Sequence, residues 1–277
     1  MPEISIIIPI LNSASTLNKC LESVRLQTVS DWEAICVYDN SDDNSMEIIQ
    51  SFVRKDSRFI FVQGRNKLLA GARNDGIKKA KGKYIFFLDS DDSLASNAFE
   101  RCVKEFQKRN CDIVIFGTDI VPKNPRASNW HYMVLSTPNK FYKQFSTKAL
   151  FGEDSARPFV WRNAYTKEFL DRCGVLFDET CAVGEDQVFQ ICTFPHAEKG
   201  ISFIKDKLYQ YTWNRNGSLM CNYDQNLLFK YTGNIKMVNS IFNYWENCNY
   251  NKISKKDLVL WALFFLETDL DKLSLIE

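Results

Sequence analysis

The sequence predicts an α/β chain with a mostly parallel sheet flanked by helices and a helical C-terminal extension. Two observations carry that expectation. Short apolar, β-branched runs alternate with segments of helical periodicity through the first 120 residues, the pattern of successive βαβ units. Beyond Asp224 the strand pattern stops and long helical periodicity replaces it.

Each element has its own signal. Ile4–Ile10 reads as the opening strand, and Leu17, Leu21 and Val24 then recur at helical spacing. Glu33–Tyr38 is the second strand. Asn44, with Glu47 three residues on, reads as a helix cap ahead of Ile48, Ile49, Phe52 and Val53. Phe59–Val62 is a third strand, Ala70–Ala80 a short helix and Tyr84–Leu88 a fourth, fully apolar strand. Phe99, Cys102, Val103 and Phe106 mark another helix before a fifth strand at Asp112–Phe116. Pro122 to Pro138 reads as a loop. In the tail, Leu227, Leu228, Tyr231, Ile235, Val238, Ile241, Phe242 and Trp245 share one helical face. Lys256 to Leu273 forms a second helix around Leu258, Trp261, Phe264 and Phe265. These aromatics are expected in the core, the alternative being an interfacial or dimer surface.

Bulk properties exclude several classes. The chain has 35 basic and 34 acidic residues, so it lacks the basic footprint of a nucleic-acid binder. Its nine cysteines are odd in number and contain no C-x-x-C pair, which predicts reduced thiols in a cytoplasmic protein. No signal peptide is read at the start, and no apolar run approaches the roughly 18 residues needed to span a bilayer. The expected location is cytoplasmic, or peripheral on the inner face of the membrane.

The most informative stretch follows the fourth strand. Asp89, Asp91 and Asp92 crowd three carboxylates into four positions. Their repulsion needs a cation or a proton to offset it. Oxygen-only ligands suit Mg²⁺ or Mn²⁺, and Mg²⁺ usually arrives with substrate phosphates. The alternative is a solvated acidic turn. Asn12 and Asp39 also lie just past strand ends, where ligands of parallel sheets bind.

Six ordered segments together resemble an inverting family 2 glycosyltransferase of the GT-A (nucleotide-diphospho-sugar transferase, Rossmann-like) fold, of the bacterial cell-surface polysaccharide type. They are Ile6 to Asn12, Val37 to Ser45, Asn66-Lys67 with Gly71 to Gly76, Gly82 to Asp92, Val160 through Phe177 to Phe189, and Tyr211 to Ser218. The resemblance implies a nucleotide-sugar-binding half at 1–120, an acceptor half at 121–220 and a helical extension at 221–277. It also implies transfer of a hexosyl or N-acetylhexosaminyl unit from a UDP-sugar to a hydroxyl of a glycan or lipid-linked acceptor. That transfer is a single displacement with inversion, assisted by Mn²⁺ or Mg²⁺.

By resemblance, Asp91 is the first metal ligand and Asp92 the second, while Asp89 holds the ribose or sugar. Asp39 and the Pro9 carbonyl accept from the uracil, with Asn12 beside them. Arg73 meets the diphosphate or base, the alternative being a salt bridge to Asp75 or the acidic turn. Arg215 and Ser218 close over the diphosphate, or form a surface turn. Asp186 is the expected general base, supported by Glu185; taken alone, Gly-Glu-Asp would be a helix cap. Trp161 reads as a core residue or an acceptor stacker, and His131 and His196 as ordinary histidines. Leu11, Ala14, Tyr38, Asn40 and Leu68 depart from the family pattern, the last two where glycine is usual. Two other readings compete: a haloacid-dehalogenase-like phosphatase with Asp89 as nucleophile, and a silent nucleotide-sugar-binding module.

Overall fold

The computed structural model describes residues 1–65, 68–122, 132, 135–152, 159–213 and 227–273. Its first half follows the expected alternation. Strand β1 (Ile4–Ile10) is buried along its whole length and pairs in parallel with β2 (Trp32–Tyr38) and β4 (Tyr84–Phe87). Strand β3 (Phe59–Gln63) adds in parallel outside β2. Helices α1 (Ala14–Arg25), α2 (Ser45–Lys55), α3 (Leu68–Lys79) and α4 (Ala98–Arg109) alternate with these strands.

Two details depart from the sequence reading. Asn44 occupies the cap position of α2, but its side chain makes no cap hydrogen bond. Asp43 does that work instead: its Oδ1 accepts from the Ser45 backbone N–H at 3.0 Å and from the Ser45 hydroxyl at 2.5 Å. The first residue of α3, Leu68, has φ 57°, the left-handed region in which a side chain is strained. That is the position where glycine was the family expectation. Its side chain is 54% exposed, so truncation loses little apolar burial. Leu68→Gly should therefore stabilise the protein by about 1 kcal/mol. A urea midpoint that falls or stays level would contradict this.

Beyond β4 the sheet becomes mixed. The strands are β5 (Ser93–Leu94), β6 (Ile113–Val121), β7 (Lys140–Tyr142), β8 (Asn163–Thr166) and β9 (Ile201–Thr212). Their order is β3-β2-β1-β4-β8-β6-β9-β5, with β7 beside β9. The strand expected at 112–116 is thus longer and does not adjoin β4. Strand β8 lies antiparallel between β4 and β6, while β6 and β9 run parallel. Most of the expected loop at 122–138 lies outside the described residues.

The remaining helices are α5 (Thr147–Phe151), α6 (Lys167–Cys173), α7 (Glu185–Thr193), α8 (Leu227–Asn247) and α9 (Lys255–Leu273). The tail belongs to the core of the second half. Met237, Val238, Ile241, Trp245, Leu258 and Trp261 are buried in one cluster with Phe177 and Phe189. The Trp245 indole N–H donates to the Ile191 carbonyl at 3.3 Å. The buried face is narrower than the periodicity suggested: Leu228 is 75% exposed and Phe264 67%. With Val259, Leu260 and Leu263, Phe264 forms an outward apolar strip on α9, where an interfacial or dimer contact would have to sit. No helix among the described residues is long and apolar enough to cross a membrane, and the eight described cysteines are free thiols.

Candidate active site

The carboxyl ends of β1, β2 and β4 are stitched together by small polar residues. Ser13 and Ser90 share a hydrogen bond of 2.6 Å, and the Thr16 hydroxyl donates to the Ser90 carbonyl at 3.0 Å. The Ser13 N–H donates to the Ser45 hydroxyl at 3.0 Å, and the Ala14 N–H to Asp43 at 2.8 Å. Asn12 takes the left-handed conformation that asparagine tolerates, φ 48°. Its N–H donates to the Ser41 hydroxyl at 2.9 Å and its Oδ1 accepts from the Asp42 N–H at 2.8 Å. Asn12 thereby ties the turn after β1 to the turn after β2. Pro9 lies opposite Val37 and beyond the last β1–β4 pair, so its missing N–H removes no bond to β4. Asp39 is buried, its N–H donating to the Ile10 carbonyl at 3.0 Å. It packs over Gly64, where a Cβ would come within 2.0 Å of Asp39 Oδ1.

The three carboxylates after β4 have different surroundings. Asp92 is 2% exposed, and both its oxygens are engaged from β9. The Tyr209 hydroxyl donates to Oδ2 at 2.7 Å and the Thr212 N–H to Oδ1 at 2.6 Å. Tyr209 in turn accepts from the Asp89 N–H at 3.2 Å. Burial, and then the charges of Asp91 and Asp89, push the Asp92 carboxyl well above the ordinary range. Asp91 is only half-buried. Asp91, the first candidate metal ligand, thus lies nearer solvent, and Asp92, the alternate, holds β9 against the end of β4.

Arg73, expected to meet the diphosphate or base, sits beneath the site at 2% exposure. Its Nη2 donates to Asp89 at 2.9 Å and its Nη1 to Glu185 at 2.8 Å. Asp75 pairs with Arg65 instead, at 2.8 Å. The neighbours of Arg73 explain why this guanidinium is so well held. Asn74 exchanges two hydrogen bonds of 2.9 Å with the Phe177 backbone. At Gly76 a Cβ would lie 2.3 Å from Ile7 Cγ2, so α3 can press onto β1 only with glycine there. The Arg-Asn-Asp-Gly run thus joins α3 to β1 and to the segment at Phe177.

Glu185 and Asp186 open α7, after Gly184 at φ 74°. A Cβ at Gly184 would meet the Met237 sulfur at 2.3 Å, so α8 fixes where α7 begins. Asp186 Oδ1 accepts from the Gln187 N–H at 2.8 Å. Burial, and then the Glu185 charge, push the Asp186 carboxyl well above its ordinary value, against the pull of Arg73. Burial raises Glu185 as well, but its ion pair with Arg73 opposes the shift. Asp89, Arg73, Glu185 and Asp186 therefore form one charge cluster spanning the two halves of the sheet. A carboxylate with raised proton affinity is suited to take a proton from a hydroxyl.

The donor set fits a hard cation. Asp89, Asp91 and Asp92 offer only oxygen donors, and Asp91 among them is half-exposed. Among the described residues no three His, Cys, Asp or Glu are grouped so as to hold a metal ion by themselves. Arg215 and Ser218 lie outside the described residues, as does His131. Trp161 is a core residue, stacked on Tyr209 with ring centroids 4.2 Å apart. His196 accepts from or donates to the Tyr244 hydroxyl at 2.9 Å, away from the carboxylates. Sequence reasoning missed Tyr209, Asp43 and the serines at 13, 41, 45 and 90. Single serines and a strand tyrosine carry no spacing signal, and the partners that join them across the site lie 29 to 120 residues away.

A family model described as glycosyl transferase family 2 matches residues 5–169. The chain is 32% identical over 245 residues to the uncharacterized glycosyltransferase EpsJ of Bacillus subtilis, covering 86% of this chain and 70% of EpsJ. It is 32% identical over 224 residues to the poly(ribitol-phosphate) beta-glucosyltransferase of Bacillus spizizenii, covering 79% of this chain but only 33% of that protein. In fold it is similar to S. aureus TarS 1–349 in complex with UDP-GlcNAc, with TM-score 0.68, 21% identity, and 87% of this chain and 67% of that chain covered. It is also similar to the mannosyltransferase PcManGT from Pyrobaculum calidifontis in complex with GDP-Man and Mn²⁺, with TM-score 0.59 and 15% identity over 100% of this chain and 76% of that one.

Proposed function

Because the chain belongs to glycosyl transferase family 2, we propose that it transfers a hexosyl or N-acetylhexosaminyl unit from a UDP-sugar to a hydroxyl of a glycan or lipid-linked acceptor, with inversion. The observation that carries the reading is the ion-pair bridge Asp89–Arg73–Glu185, which brings Glu185 and its neighbour Asp186 within electrostatic reach of Asp89. UDP-GlcNAc in one structural neighbour supports a UDP-sugar donor, and one relative, a poly(ribitol-phosphate) beta-glucosyltransferase, supports a bacterial glycan acceptor.

Each residue has a task. Asp39 and the Pro9 carbonyl read the base of the nucleotide, and Asn12, tied to the turn after β2, holds that wall in shape. Asp89 accepts from ribose or sugar hydroxyls with the lone pairs that Arg73 leaves open. Asp91 would hold a Mn²⁺ or Mg²⁺ ion, with Asp92 as the alternate ligand, and the ion would supply Lewis-acid stabilisation of the departing diphosphate. Asp186 takes the acceptor proton while the hydroxyl attacks the anomeric carbon from the face opposite the leaving group. One base and one displacement give inversion. Glu185 holds Arg73 through its ion pair and supports Asp186 from the adjacent position.

The test is a donor screen. The protein is incubated with UDP-sugars and Mn²⁺, UDP release is measured, and the anomeric configuration of the product is read by NMR. We expect UDP release from one donor, its loss on chelation of the metal and its return on adding Mn²⁺. Phosphate release from phosphomonoesters without nucleotide binding would instead restore the phosphatase reading. Nucleotide-sugar binding without turnover on any acceptor would favour the silent module.

A further inference from the structure

Helix α8 has two distinct faces. Met237, Val238, Ile241 and Trp245 turn into the core. Lys236, Asn239, Ser240 and Asn243 follow at positions i, i+3, i+4 and i+7 on an adjoining face. Facing them is the turn that carries Asp178 and Thr180. The two sides line an open cleft of about 460 Å³.

The chemistry of its walls is uneven. The Asp178 carboxylate is already engaged. It accepts from the Ser240 hydroxyl at 2.5 Å, from the Thr180 hydroxyl at 2.7 Å and N–H at 2.9 Å, and from the Cys181 thiol at 3.5 Å. Those hydrogen bonds outweigh its burial and hold it below the ordinary carboxylate range. Its charge therefore braces the wall. Lys236, Asn239 and Asn243 differ: among the described residues none of the three makes a hydrogen bond or ion pair, and all are exposed. The cleft thus offers one ammonium and two carboxamides in a row. An ammonium is a point charge for an anion, and a carboxamide can both donate to and accept from a hydroxyl.

The cleft is also close to the chemistry. Lys236 precedes Met237, whose sulfur packs on Gly184 immediately before Glu185. On the other wall, Phe177 and Glu179 flank Asp178 and hydrogen-bond Asn74, the neighbour of Arg73. Helix α8 and the 178–180 turn thus each touch an element that positions the carboxylate cluster.

We propose that this cleft is a subsite for the acceptor chain, and that it takes a polyhydroxylated segment bearing a negative charge. Lys236 pairs with the anion, while Asn239 and Asn243 hydrogen-bond neighbouring hydroxyls. The proposal deepens the glycosyltransferase reading and rests on it. A uronate carboxylate and a phosphodiester between polyols both supply this chemistry.

The experiment is direct binding to the full chain, without donor or turnover, so that it can fail while UDP release succeeds, or the reverse. The probes are a glucuronate-containing tetrasaccharide, a short glycerol-phosphate oligomer and neutral cellotetraose, followed by NMR of the asparagine side-chain amides. At least one anionic probe should bind and shift the Asn239 and Asn243 amide signals, with cellotetraose weaker. Whichever anionic probe binds more tightly identifies the source of the charge. A Lys236→Ala/Asn239→Ala/Asn243→Ala protein should bind that probe about tenfold more weakly or worse, as loss of two or more polar contacts implies. Its thermal midpoint should match the wild type, because all three side chains are exposed. Equal binding by the triple variant, equal binding of the neutral probe, or no binding of either anionic probe would overturn the assignment.

Discussion

Asp186→Asn should lower kcat by about 10²- to 10⁴-fold, the usual contribution of a general base, while UDP binding is retained. Asparagine keeps the shape and the hydrogen bond from the Gln187 N–H, so the loss would report proton transfer rather than disorder. The pH dependence provides a second signature. Burial and the Glu185 charge raise the proton affinity of Asp186, so its basic form accumulates only above a midpoint higher than the ordinary carboxylate value of about 4. Wild-type kcat/KM should therefore fall as pH drops through that raised midpoint. The residual activity of Asp186→Asn should lack this acidic limb. Full turnover by the variant would remove Asp186 from the role.

Removing Arg73 should have the largest effect on the fold and the site together. Arg73→Met leaves Asp89 and Glu185 facing each other without the guanidinium that links them. Breaking a buried ion pair by deleting one partner costs roughly 3–5 kcal/mol, read as a lower urea midpoint. Arg73→Lys keeps a charge but not the fork that reaches both carboxylates. It should fold more stably than the methionine variant and still lose turnover. The sign of the pH effect follows from the charge. Arg73 lowers the proton affinity of both Glu185 and Asp186, so weakening its contacts should move the acidic limb to higher pH. A lysine variant with wild-type kcat and an unmoved limb would show that the bridge is not needed for catalysis.

The parallel units from β1 to β4 were legible because each strand and helix is a local pattern. The fully buried β1 and β2 are mainly apolar, Ser5 and Glu33 being the exceptions, and α2 and α4 show one apolar face. The placement of β6 was not legible. Its neighbour β8 begins over forty residues later in the chain, and periodicity reveals a strand but not its partner. The helix caps show the same division. The Asn44–Glu47 spacing marks the right start for α2, yet the oxygen engaged there belongs to Asp43. In the tail, helical spacing identified α8 and α9, but which flank of α8 became buried depended on the Val183–Gly184 surface it meets. A Cβ at Gly233 would lie 2.6 Å from Val183 Cγ2, which fixes the rotation of the helix.

By itself, the sequence determined the family, the alternating half and the identity of the carboxylates after β4, because each is written in contiguous residues. Only the tertiary structure separated the roles of those residues. It placed Asp92 under Tyr209 and Thr212, left Asp91 nearer solvent, and linked Arg73 to both Asp89 and Glu185. The physical reason is that a charged side chain acts through the partners folding brings to it. For Arg73 one of those partners is 112 residues away, and no spacing in the chain encodes that distance.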